Sequence, residues 1–302
     1  MPGTESIMSE PTTQTESAAS YEIIIAPSKG WLRINWREMW EYRDLLFILV
    51  RRDFLSKYKQ TVLGPIWFVL QPLLTAMVMS IAFNGIGGVR TGEVPSMLFN
   101  LCALLPWTYF AQNVTTGAST FTTNSHLFGK VYFPRLIVPA ASSISNLFAL
   151  ALQLAVFLAF FVGFALKGAP ITIRFSAFLV IPLFVISGIF SLGVGLLIAA
   201  STAKYRDLSH LTPVLIQLWM FASAVFFPMS MITAHPNFAW LAWANPMVAI
   251  VEATRIVLLQ GGVNTIGELP AMLASSALVS VLALIFGVVA FNRAERTVVD
   301  SV

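Results

Sequence analysis

The chain has 302 residues, 57% hydrophobic and 11% charged, with a mean hydropathy of +0.78. Soluble domains carry about 25% charged residues, so a soluble enzyme or a disordered regulator is excluded, because a core this apolar would leave too much greasy surface in water. The net charge of +4 and pI of about 9.4 fit basic cytoplasmic loops of a membrane protein rather than a nucleic-acid surface. One cysteine, Cys102, allows no intrachain disulfide, and His126, His210 and His235 are scattered with no metal-ligand spacing.

Residues 1–30 read as a disordered or extended cytoplasmic tail, since the first twenty are rich in Ser, Thr and Glu and poor in apolar residues. No basic region precedes an apolar one, so a signal peptide is not expected. Residues 31–60 predict an amphipathic interfacial helix. Trp36, Trp40, Phe47, Val50, Phe54 and Tyr58 recur at helical steps among Arg33, Arg37, Arg43, Arg51, Arg52, Lys57 and Lys59. Such a helix lies flat in the membrane interface, its aromatics toward acyl chains and its cations toward headgroups. A plain juxtamembrane anchor is the alternative.

Residues 61–296 predict the membrane domain. Six stretches reach the roughly 20 apolar residues that a crossing needs: 62–84, 97–124, 136–166, 175–202, 211–233 and 270–292. The second is the weakest, because its end is polar and uncharged and either leaves the membrane or lines a wet interior. The third is long enough to tilt or to project. Fourteen Lys and Arg fall on the side of the termini and four on the other, so both termini, including the 297–302 tail, are expected in the cytoplasm. Between spans five and six, about 234–262, a short re-entrant or interfacial hairpin is expected on the outer face. Asn245 caps and Pro246 opens its second helix, and Gly261 and Gly262 stop it. It is either an outer gate or a static lid.

No Asp, Glu, Lys or Arg lies inside the six spans, which argues against proton coupling or a voltage sensor. No nucleophile, base and acid form a recognisable set, and Gly85, Gly87, Gly88 and Gly92 have no following Lys-Ser or Lys-Thr. No catalytic residue and no bound cofactor or metal is therefore expected, and uphill transport would draw its energy from another subunit. The channel candidates are Trp67, Phe68, Gln71, Tyr109, Phe110, Gln112, Gln217, Trp219 and Phe226. Aromatic rings stack on sugar C–H faces but also pack between helices or face lipid. The amides, Asn113 among them, line a pore or glue helices together. Pro65, Pro72, Pro106, Pro182, Pro213 and Pro228 punctuate the spans, and Gly188, Gly193 and Gly195 with Ser187 and Ser191 make a small-residue packing face.

Four blocks in order resemble type-2 ABC exporter permeases, and more narrowly the Wzm-type subunit of bacterial O-antigen, capsule and teichoic-acid exporters. They are Tyr42-Arg43-Asp44, Arg52-Asp53 and Lys57-Tyr58-Lys59-Gln60-Thr61-Val62-Leu63-Gly64 with Trp67; Lys130-Val131-Tyr132-Phe133-Pro134-Arg135 with Pro139; Tyr205-Arg206-Asp207-Leu208; and Asn245-Pro246 with Arg255. Phe54-Leu55-Ser56 departs from the pattern, where a further basic residue is expected. The resemblance spans about residues 22–296. It implies an all-α integral membrane homodimer forming a channel in the bacterial inner membrane, with two copies of a Wzt-like ATPase that use ATP and Mg. The cargo would be an undecaprenyl-diphosphate-linked polysaccharide.

On that resemblance, Asp53, Lys130, Tyr132, Phe133 and Arg135 would couple to the ATPase, and Asn245, Pro246, Glu252 and Arg255 would belong to the outer gate. Arg51, Arg52, Lys57 and Lys59 would meet the diphosphate at the cytoplasmic entrance, or else anionic membrane lipids. Glu252 and Arg255, at i and i+3, could pair as a latch or as surface decoration. A drug or lipid permease of the same class, and a membrane-embedded enzyme or scaffold, are the competing readings.

Overall fold

The computed structural model describes residues 36–58, 64–128, 133–172, 175–205, 207–259 and 267–299. No strand forms among them; the chain is a bundle of helices. Helices α1 (Trp36–Glu41) and α2 (Arg43–Tyr58) are followed by a tight turn at Gly64–Ile66 that opens α3 (Trp67–Met79). A π-helical segment, Ser80–Ile86, continues α3. Helix α4 (Ser96–Ala118) leads through the short α5 (Thr120–Thr123) and α6 (Ser125–Phe128) to α7 (Ile137–Leu166). Then come α8 (Val180–Thr202), α9 (Leu208–Phe221), α10 (Ser230–Thr233), α11 (Ala239–Ala244), α12 (Pro246–Leu258) and α13 (Leu269–Val299).

Four segments are long and apolar enough to cross a membrane: Trp67–Ile86, Ile137–Leu166, Phe175–Thr202 and Leu269–Glu295. They coincide with expected spans one, three, four and six. Expected span two is α4, long enough at about 35 Å but diluted by its polar second half. Expected span five is interrupted. Helix α9 stops at Phe221 after 14 residues, about 21 Å against a hydrocarbon core of about 30 Å. Ala224 takes a positive φ of 53°, Pro228 follows, and the chain reverses over 222–228 before α10. Pro72, Pro106 and Pro213 lie inside helices, as expected. Pro182 falls in the first turn of α8, where its missing donor costs little.

Helix α4 is the buried axis, in contact with α3, α7, α8, α9 and α12, while α8 lies along both α4 and α13. The expected small-residue face makes these crossings close. A Cβ added at Gly193 would fall 2.5 Å from the Ala283 carbonyl carbon, and one at Gly287 would fall 2.4 Å from the Gly193 oxygen. Gly117 and Gly195 meet in the same way between α4 and α8. Helix α3, by contrast, buries only Ala76.

Candidate functional site

Helix α2 rests on the start of α7. Its buried Leu49 joins Phe133, Ile137, Val138 and Ala141, with Leu45, Leu46 and Val50 packed at the edge. Phe54 meets the Phe148 ring edge-on at 4.5 Å. Of the expected membrane-facing stripe, Trp40 and Phe47 are exposed, whereas Val50 and Phe54 turn toward the protein. The helix thus has two apolar edges, and packing on α7 takes one of them.

Two charged residues of α2, Arg52 and Asp53, are bonded to other parts of the chain. Arg52 donates from Nε at 3.1 Å and Nη2 at 2.8 Å to Asp53 Oδ1, and from Nη2 to Asn124 Oδ1 at 3.2 Å. The Ser142 hydroxyl donates to the other Asp53 oxygen at 2.9 Å. Arg52 and Asp53 therefore bridge α2 to the α5–α6 junction and to α7. Arg135 pairs with Glu295 of α13 at 3.5 Å, donates to the Glu295 carbonyl at 3.3 Å, and lies 5.1 Å above the Phe128 ring. Phe133 is buried and Arg51 is exposed. Lys59, Lys130 and Tyr132 lie outside the described residues, as does the side chain of Lys57.

At the opposite end of the bundle, α12 is buried along most of its length. Asn245 caps it as the sequence predicts, accepting from the Met247 amide at 3.1 Å with Pro246 in the first turn. The Asn245 amide nitrogen also donates to the Ala222 carbonyl at 3.1 Å and to the Ser223 hydroxyl at 2.9 Å. Replacing Asn245 with Ala removes a helix cap and two bonds to the reversal. We expect it to cost about 2 kcal/mol, read as a fall in the unfolding temperature of the purified protein.

Arg255 and Glu252 do pair, at 3.0 Å, and the pair is buried rather than on the surface. Arg255 is 0% and Glu252 2% exposed. Arg255 also donates to the carbonyls of Phe227 and Val225, at 3.2 and 2.5 Å, and its guanidinium lies 3.7 Å over the Phe99 ring. One cation on α12 thereby holds the 222–228 reversal and α4 together. Glu252, the two carbonyls and the Phe99 ring offset the burial of this charge, while the buried Nε has no partner among the described residues.

The channel candidates separate by exposure. Trp67 and Gln71 on α3 and Gln217 on α9 are exposed; Phe68, Gln112 and Trp219 are half-buried. Tyr109, Phe110 and Phe226 are buried within the protomer. Phe110 packs at 5.3 Å against each of Trp107, Phe190 and Trp219, Phe226 stacks on Phe83 at 5.9 Å, and the Tyr109 hydroxyl lies 3.4 Å from that of Ser143. Asn113 is glue: it donates to Ser191 at 3.0 Å and accepts from Asn146 at 2.8 Å. Sequence reasoning did not single out Asn146, Gln153 or Asn100. Gln153 accepts from Thr108 and donates to the Phe68 carbonyl, and Asn100 ties the π-helical turn through Ser80 and Asn84. Their signal was available, an amide in an otherwise apolar helix.

The polar stretch 112–122, which runs from the end of α4 into α5, divides by face. Asn113, Gly117 and Thr120 are buried, while Thr115 and Thr122 are exposed and Gln112 and Ser119 are half-buried. The hydroxyls of Thr115, Ser119 and Thr122 donate to their own helix carbonyls, which leaves oxygen lone pairs facing outward.

The family model described as ABC-2 type transporter matches residues 44–259. An O-antigen export system permease protein RfbA of Myxococcus xanthus is 31% identical over 221 residues, 73% of this chain and 82% of that protein. An RfbA of Klebsiella pneumoniae is 25% identical over 223 residues, again 73% and 82% of the two chains. The polysialic acid transport protein KpsM of Escherichia coli is 23% identical over 217 residues, 72% and 81%.

Proposed function

The chain belongs to the ABC-2 type transporter family, and from that premise we propose that it is the permease subunit of an ATP-driven polysaccharide exporter, moving an O-antigen-like glycan. It is a transport subunit and not an enzyme; a separate subunit hydrolyses ATP. The observation that carries the glycan reading is a set of accessible, uncharged polar residues in an otherwise apolar protein. Gln71 on α3, Gln217 on α9, and Thr115, Ser119 and Thr122 on α4 and α5 are all at least partly accessible. Amides and acceptor hydroxyls suit a hydrated chain of sugar hydroxyls, whereas a lipid-facing surface has no use for them.

In this reading two copies of the chain face each other across the α3 and α9 sides and enclose the path in the bacterial inner membrane. All six expected segments contribute, with α4 shielded by its neighbours and the α9–α12 region completing the fifth crossing as a gate. Both termini are cytoplasmic, and two Wzt-like ATPase subunits, using ATP and Mg, dock below α2 and the 124–135 segment. The cargo is a glycan on an undecaprenyl-diphosphate carrier, and the exposed Arg51 is the described cation best suited to its diphosphate or to an anionic lipid headgroup.

The test is reconstitution with the ATPase encoded beside the gene, in proteoliposomes loaded with lipid-linked glycans from the same cells. ATP-dependent appearance of glycan on the far side is expected. Gln71→Leu with Gln217→Leu should lower it several-fold while leaving ATPase binding intact. A complex that hydrolyses ATP but moves no glycan would turn the substrate toward a drug or lipid. No complex at all would refute the exporter reading.

A further inference from the structure

Arg135 sits in the block whose resemblance assigns it to the ATPase, yet its side chain is only 13% exposed and every contact described for it points into the chain. The guanidinium is held between Phe128 at the end of α6 and Glu295 near the end of α13, with both the carboxylate and the main-chain oxygen of Glu295 engaged. From Glu295, α13 runs back past the buried Phe291, which stacks on Phe121 of α5 at 4.5 Å, to Gly287, about 12 Å along the helix. There the backbone touches Gly193 of α8 with no side chain between, and α8 in turn touches α4 at Gly195 and Gly117. Close-packed backbone contacts have no slack and pass on displacement as rigid bodies. Helix α3, which buries only Ala76, has no equivalent anchorage.

We propose that Arg135 is a positioning residue that braces the α6–α7 connection against α13, so that displacement of this connection by the ATPase enters the α13–α8–α4 core through the Arg135–Glu295 pair and not through a contact between Arg135 and the ATPase. This rests on the chain being an ATPase-driven permease. The pair is half-shielded and bears an aromatic on one side, so its attraction is less screened than that of an exposed pair. The second bond, to the Glu295 carbonyl, fixes its direction.

The experiment is a charge swap in the reconstituted complex. R135E and E295R should each lower glycan exported per ATP hydrolysed about fivefold, with capture of the ATPase by the permease unchanged. R135E/E295R should return export to within about twofold of wild type. E295Q, which keeps the main-chain acceptor, should give a smaller loss in the same direction and serves if a reversal fails to fold. Hydrogen exchange of amides 136–142 in the isolated permease should speed up in each single reversal and slow again in the double. A double variant no better than R135E, with ATPase capture lost, overturns the proposal by assigning Arg135 to the ATPase. Equal export in all variants, or exchange unrestored in the double, also overturns it. If exchange follows the expected pattern but the wild-type complex neither hydrolyses ATP nor exports, the proposed function fails and the brace is judged on exchange alone.

Discussion

Arg255→Ala should lower the unfolding free energy by about 3–5 kcal/mol, enough to leave little folded protein after detergent extraction. The loss exceeds that of an ordinary ion pair because of what remains behind. Glu252 is left at 2% exposure without its counter-ion, and the carbonyls of Val225 and Phe227 lose their donor inside the protein. A buried group left unsatisfied costs its full desolvation, whereas removing both partners together does not. Glu252→Ala should therefore be nearly as damaging, while Arg255→Met with Glu252→Leu should recover much of the stability. Thermal unfolding followed by tryptophan fluorescence separates these cases, since eight tryptophans report on the bundle. An Arg255→Ala protein that melts with the wild type would show the clamp to be idle. The double variant is also informative in function: if it is stable but fails to export, the 222–228 reversal needs its tie to α12 for transport as well as for folding.

Gly193→Val and Gly287→Val should abolish folding outright, and even Ala at either position should cost about 3 kcal/mol. At most glycines an added methyl finds room or a side chain that can move. Here it meets backbone on both sides, at 2.5 Å for Gly193 and 2.4 Å for Gly287, so α8 and α13 must separate along a crossing that is among the closest in the molecule. Gly163, near the C-terminal end of α7, has nothing within 4 Å of its added Cβ, and Gly163→Ala should be near neutral or stabilising. Yield of monodisperse protein and its melting temperature, measured for the three variants side by side, test this. Wild-type behaviour of Gly193→Val would refute the close approach.

Much of the fold was legible because its determinants are local. Four apolar runs of sufficient length became the four long apolar helices. The Asn245-Pro246 start of α12 and the small-residue face of α8 also formed as expected, since a cap and a close-packing glycine act over a turn or a single face. Expected span five was misjudged at its far end, because hydropathy continues unbroken through 222–228 while the backbone does not. Pro228 cannot continue the helix there, and the freed carbonyls of Ala222, Val225 and Phe227 are taken up by Asn245 and Arg255, more than twenty residues onward in sequence. The site residues were legible in kind, but the partners that Arg52, Asp53 and Arg135 find within the chain, Asn124, Ser142 and Glu295, lie too far along the sequence to be read from it.

The sequence by itself determined the solvent, the helical class, most helix positions and, through four ordered blocks, the family, because composition, apolar run length and local caps are one-dimensional quantities. Only the tertiary structure decided that Phe110 and Phe226 are core while Trp67, Gln71 and Gln217 are accessible, and that Arg255 is buried. Lipid and protein interior are equally apolar, so hydropathy cannot distinguish a lipid-facing ring from a packed one. Whether a polar group is buried depends on partners that folding brings from distant segments.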